Sequence, residues 1–221
     1  MRKAIVCLVA AVMTLCATTG AKAQKVGFGV KGGLNLSTWT QNDSKFRVGF
    51  HLGGFANIKF NKMFAIQPEL MYSMEGNAWK QELPKVGGYY TNLNYHTTAH
   101  KLIVPVMFQL TPIRELTLEA GPQFGFNLSL KGHSDVDTNI PEAILPDEYR
   151  DRDFDYDDDA YNTFELGLAL GARFNIAKNM SVGARYVYGL TPLFDEVKVN
   201  GTVVSDAVHT HNVMFSFSYM F

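Results

Sequence analysis

Beyond residue 23 this chain contains no cysteine, because Cys7 and Cys16 both lie near its start. That excludes a disulfide framework, thiol catalysis and a cysteine-held metal from the body of the protein. No later stretch approaches the ~20 unbroken apolar residues of a helical membrane span. A basic surplus is also missing, since Lys and Arg number 20 against 21 Asp and Glu, for a formal net charge of -1. Residues 135–159 alone hold 11 acidic and 2 basic residues, so the imbalance sits in one loop and offers no nucleic-acid surface. No serine has a histidine at a recognisable hydrolase spacing, and no cofactor motif is present, so neither an active site nor a cofactor is expected.

What the chain does contain begins with an export signal. Met1, Arg2 and Lys3 form a short positive region, residues 4–19 are an apolar run too short to span a bilayer, and Ala21-Lys22-Ala23 is a small-x-small cleavage site. Residues 1–23 are expected to be removed, leaving a single domain over 24–221. Leu15 before Cys16 argues against a lipoprotein signal, which requires a small residue there.

The last stretch, residues 208–221, carries Val213, Phe215, Phe217, Tyr219 and Phe221 at every second position, with Asn212, Ser216 and Ser218 between them. Period two means a strand with two unlike faces. An aromatic-rich strand left at a sheet edge is a hazard that a closed barrel removes. The same alternation recurs seven times upstream. Leu34, Leu52, Leu70, Phe108, Phe124, Leu168 and Tyr186 fall on the apolar face of their strands, and the fifth strand extends it to Leu128 and Leu130. Lys31, Lys59, Glu69, Lys101, Glu119, Glu165, Arg173 and Arg185 fall on the other face. Pro68 is expected to mark a bulge, and Asn61-Lys62 a two-residue turn.

Connections alternate between long and short, with polar loops at about 76–93, 132–160 and 191–207 and tight turns between them. Long outer loops and short periplasmic turns are the pattern of bacterial outer-membrane barrels. An exported chain with no spanning helix can cross lipid only as a closed barrel. The fold expected is all-β, an eight-stranded antiparallel transmembrane up-and-down β-barrel with both termini periplasmic. A water-soluble ligand-binding barrel would instead wet its outside and fill its inside with apolar side chains.

Four segments, GVKGGLNLS at 29–37, KLIVPVMFQL at 101–110, AGPQFGFNLSL at 120–130 and GARYVYGL at 183–190, resemble the PorT-like family of small outer-membrane β-barrel domains. The resemblance covers residues 24–221. It implies an eight-stranded barrel in the outer membrane of a Gram-negative cell, with no member-wide catalytic residues to transfer, and a tie to protein secretion in some relatives.

Among candidate sites, Lys31, Glu69, Lys101, Glu119, Glu165, Arg173 and Arg185 are expected to pair as a polar network in the lumen, because an isolated buried charge is very costly. Asp151, Asp153, Asp155 and Asp157 lie two apart and are hard ligands suited to Ca²⁺, although the glycine and terminal glutamate of a recognised calcium loop are missing. Trp39, Trp79, Tyr72, Tyr89, Tyr90, Tyr186 and Tyr188 read as an interfacial girdle. His96 with His100, and His209 with His211, read as interfacial polar residues on distant strands. The function expected is a non-enzymatic outer-membrane protein with a structural, adhesion or secretion-associated role. Its expected partners are outer-membrane lipid, lipopolysaccharide and the barrel assembly machinery, and it is expected to be a monomer. A barrel enzyme acting on lipid or protein is the alternative.

Overall fold

The computed structural model describes residues 25–40, 44–83, 88–140, 151–157, 159–199 and 202–221. Residues 1–23 therefore lie outside the described residues. The strands are β1 (Lys25–Trp39), β2 (Arg47–Lys59), β3 (Phe64–Glu82), β4 (Thr91–Ile113), β5 (Leu116–Thr138), β6 (Arg152–Asp155), β7 (Phe164–Asn175), β8 (Met180–Gly189), β9 (Val197–Val199), β10 (Thr202–Ser205) and β11 (Thr210–Met220). Eight of these close a ring in the order β1, β2, β3, β4, β5, β7, β8, β11 and back to β1, with every neighbour antiparallel. Short β6 adds to β5 in the outer extension, and β9 and β10 form a separate hairpin.

Facing follows the alternation. Leu34, Leu52, Phe108, Leu168, Phe215 and Phe217 are exposed on the outside, Phe215 by 49%, while Lys31, Glu69, Lys101, Glu119, Glu165 and Arg185 are buried within the ring. A ring that wraps its charges and displays its aromatics is built for lipid and excludes the soluble-barrel alternative. On one side the turns are tight: Arg114-Glu115 after β4, residues 176–179 after β7, and residues 60–63 after β2. The last of these is four residues long rather than two. Asn61 sets it, its Oδ1 accepting from the backbone N–H groups of Met63 and Phe64, both at 2.8 Å.

Other features depart from the sequence reading. Pro68 makes no bulge, because its register with β4 runs unbroken through the Pro68↔Val106 pair, and Phe55↔Glu69 and Ile58↔Ile66 flank it in one register with β2. The missing N–H leaves a gap in the ladder and shifts nothing. A bulge lies instead on β5, where His100 faces Ser129 but Lys101 faces Asn127. The extra residue reverses the alternation. Leu128 thus faces out at 53% exposure, and Leu130, expected outward, turns in and is 1% exposed.

Much of the outer loop sequence is strand as well. β3 runs to Glu82, β4 starts at Thr91, and β5 continues through 132–138. A tilted strand crosses the membrane in ~9–11 residues. Since β4 and β5 are 23 residues each, roughly a dozen residues of each project outward, about 30 Å at ~3.4 Å per residue and a tilt of ~40°.

Candidate functional site

The ring interior is organised in tiers, beginning at the tight-turn end with a net of neutral amides and one cation. Asn57 Nδ2 donates to Gln67 Oε1 (3.0 Å) and Gln109 Oε1 (2.7 Å). Arg173 donates from Nη1 to Gln67 Oε1 (3.1 Å) and from Nη2 to Gln109 Oε1 (3.2 Å).

The next tier is ionic. Glu69 receives Lys31 Nζ at 2.5 Å, Arg185 Nη1 and Nη2 at 2.8 and 2.9 Å, and Gln67 Nε2 at 2.7 Å. Arg185 also donates from Nε to Glu119 at 2.9 Å, with Nη2 lying 2.7 Å from the same carboxylate. One planar guanidinium thereby joins carboxylates from β3 and β5 across the lumen, a fork geometry that Lys cannot reproduce.

Above this lies an apolar layer of Met71, Ile103, Met107, Ala169, Val187 and Met214. A second ionic tier follows. Lys101 Nζ is 2.9 Å from Glu165 Oε1 and 3.2 Å from Glu75 Oε2. Asn127 and Thr210 donate to Glu165, and Ser73 and Asn212 donate to Glu75. The space enclosed here is about 20 Å³, room for about one water. His51 bridges β1 and β11, with Nδ1 2.7 Å from Asn35 Oδ1 and Nε2 2.8 Å from Ser216 Oγ.

The outer end is stoppered. Trp39, Ala99, Leu130, Tyr161, Leu193 and Val208 form a buried apolar cluster, with Tyr156 and Phe194 packed against it. The Trp39 and Phe194 rings meet edge-on at 5.6 Å. Backbone bonds from Asn162 N to Leu193 O (2.8 Å) and from Leu193 N to Val208 O (2.7 Å) tie the outer loops into this stopper. An eight-stranded interior is just wide enough for side chains to fill. Among the described residues, two ionic tiers split by an apolar layer and capped by a second one leave no wetted path for ions.

All seven lumen residues singled out in the sequence lie in these tiers, Lys31, Glu69, Glu119 and Arg185 in the first and Lys101 and Glu165 in the second, with Arg173 at their foot. Lys59, expected inside, is exposed at the tight-turn mouth. The singled-out set omits Glu75, His51, Asn35, Asn57, Gln67, Gln109, Asn127 and Asn212. Their inward parity was visible; their cross-barrel partners, from 10 to 165 positions away, were not.

The aspartates of 151–157 do not gather. Asp151 Oδ1 accepts from the backbone of Val136 (2.7 Å) and Asp153 Oδ1 lies 2.6 Å from His133 Nδ1, so each is taken up by a different partner even though alternation along β6 puts Asp153 and Asp155 on one side. Among the described residues no three His, Cys, Asp or Glu side chains form a group able to hold a metal ion. His133 Nε2 lies 2.8 Å from Asp135 Oδ1. Hydrogen bonding to Asp153 first, and then to Asp135, pushes the exposed imidazole above its ordinary pKa.

The aromatics expected to form a girdle divide into two groups. Tyr72 bonds His100 at 2.5 Å, Tyr186 bonds His211 at 2.7 Å, and Tyr188 stacks on His209. Trp39 is in the stopper instead, and Trp79 stacks on Tyr95 in the outer extension, with ring centroids 4.3 Å apart.

Residues 22–195 match a family model described as the outer membrane protein beta-barrel domain. No curated protein sequence matches the chain. Among solved structures it is similar to the attachment invasion locus protein Ail of Yersinia pestis, crystallised with the heparin analogue sucrose octasulfate. That likeness has 14% identity over 89% of this chain and 99% of that one, with a TM-score of 0.42. Neisserial surface protein A shows 15% identity over 89% and 99%, with a TM-score of 0.44. Outer membrane protein OprG from Pseudomonas aeruginosa shows 9% identity over 90% and 97%, with a TM-score of 0.37.

Proposed function

This chain belongs to the outer membrane protein beta-barrel domain family, and from that premise we propose that it is a non-enzymatic envelope component working through its outer face, in a structural, adhesive or secretion-associated role. As a member of that family it is an integral β-barrel of the outer membrane. The observation that carries the proposal is the overshoot of β3, β4 and β5, which raises a β-ribbon far beyond the girdle and bears Asp135 and Asp137 and, through β6, Asp153 and Asp155. The lumen supports the reading from the other direction. Its carboxylates are each engaged by a cation, a state suited to bracing a wall rather than to moving protons.

Within the family, the four motifs at 29–37, 101–110, 120–130 and 183–190 favour the PorT-like branch. The same reading takes residues 1–23 as a cleaved signal peptide and the barrel as a monomer inserted by the barrel assembly machinery. Lipopolysaccharide would be its lipid neighbour, bridged to the acidic segment through divalent cations. The test is to replace residues 139–160 with a short Gly-Ser linker in the native cell. Heat-modifiable migration on a detergent gel should persist while adhesion or secretion falls to the level of a deletion strain. A variant that assembles and keeps the full phenotype overturns the proposal.

A further inference from the structure

The tight-turn end of the barrel opens into a vestibule of about 870 Å³, within the range of small-ligand pockets. Its lining is one-sided in charge. Lys59, Lys62, Arg114 and Lys178 surround the mouth with Glu115 as the acid among them, and Arg173 lies at the floor. Converging cations in a concave, low-dielectric setting focus the field and concentrate anions.

Arg173 is the telling member. Its two terminal nitrogens meet only the amide oxygens of Gln67 and Gln109, and its Nε is buried with no hydrogen-bond partner among the described residues. The carboxylates behind it, Glu69 and Glu119, are taken up by Lys31 and Arg185. With Lys31, Arg185 and Arg173 against Glu69 and Glu119, this end of the lumen carries one unmatched positive charge. A poorly compensated cation is unfavourable even when half-buried, and this one, with its Nε buried, lies where the closed interior meets the open vestibule.

We propose that the vestibule binds a small solute bearing a carboxylate or phosphate group, gathered by Lys59, Lys62, Arg114 and Lys178 and held at the floor by Arg173. On the side of the short turns, the site faces the periplasm, opposite to the outer extension. It is a dead-end receptor, since the apolar layer and the stopper above it prevent passage.

The full chain, folded in detergent micelles at low ionic strength, is titrated calorimetrically with succinate and with inorganic phosphate. Saturable binding of either anion is expected, and whichever binds more tightly identifies the oxyanion. Arg173→Gln should weaken it by about tenfold or more, the loss of one charge-assisted pair. The paired change Lys59→Gln with Lys178→Gln should weaken it and flatten its salt dependence, while Lys131→Gln in the outer extension should leave it unchanged. No heat with either anion, or full affinity in Arg173→Gln, overturns the proposal. Should Arg173→Gln fail the heat-modifiability check for folding, unchanged affinity in the Lys59/Lys178 variant overturns it alone.

Discussion

Replacing Glu69 by glutamine strikes the point on which two cations and an amide converge. The carboxylate takes Lys31, both terminal nitrogens of Arg185 and the Gln67 amide, all between 2.5 and 2.9 Å, and its side chain is 0% exposed. Glutamine offers one acceptor oxygen and turns two donors toward the cations. With Arg173 at its foot counted, the charge of the tier rises from one positive unit to two. Breaking a buried pair by removing one partner costs about 3–5 kcal/mol, whereas an exposed pair contributes about 0–1 kcal/mol. Complete burial places Glu69 in the first class. Urea unfolding of the barrel in lipid vesicles, extrapolated to water, should show Glu69→Gln destabilised by about 3–5 kcal/mol. Adding Lys31→Met returns the tier to one positive unit and should recover part of the loss, so the two changes are non-additive. For contrast, Glu82→Gln removes the exposed partner of Lys80, 3.1 Å away, and should fall within about 0.5 kcal/mol of the parent. A Glu69→Gln barrel as stable as the parent, or a double variant equal to the sum of its singles, would refute the reasoning.

Other expectations concern the wall, the bore and the outer ribbon. Phe215→Arg, at the midpoint of β11 on the lipid side, should cost about 2–4 kcal/mol in folding into vesicles; unimpaired folding would contradict the facing of the strands. Planar bilayers containing the purified protein should show negligible single-channel conductance, and large steady steps would contradict the sealed lumen. The folded pKa of His133 is raised by Asp153 and Asp135. Its support for docking β6 on β5 is complete below the ordinary histidine pKa of ~6.5 and fades as pH climbs through the raised value. An NMR titration should place His133 above ~6.5 and show it falling in Asp153→Asn. A parent value at or below ~6.5 would remove the ion pair from the account.

The wall was legible because lipid and lumen impose opposite demands on alternate residues. Wherever both hold, as from Leu34 through Phe215, parity alone assigned the face. Legibility failed where one of the demands lapses. Outside the membrane both sides of a strand can be wet, so Asn92, Asn94, His96 and Thr98 alternate with little contrast and β4 looked like loop as far as about residue 93. The bulge at Leu128-Ser129 is invisible to a period-two reading, since Leu128, Ser129 and Leu130 alternate perfectly while the backbone slips by one. Hence Leu130 seemed to belong to lipid when it belongs to the stopper, as does Trp39. In the lumen the face was readable but the partners were not. Which cation meets Glu119 depends on ring closure and strand stagger, and Arg185 lies 66 positions away from it.

The seam between β1 and β11 pairs residues 29–39 with 210–220, the two extremes of the barrel sequence. Until β11 arrives, β1 offers a bare row of amides and carbonyls on one side and naked grease on one face, so every incomplete polypeptide is sticky. That edge stays open to pairing until the ring closes. A truncation that spared every loop but lost β11 would leave β1 free to zip onto a second copy instead.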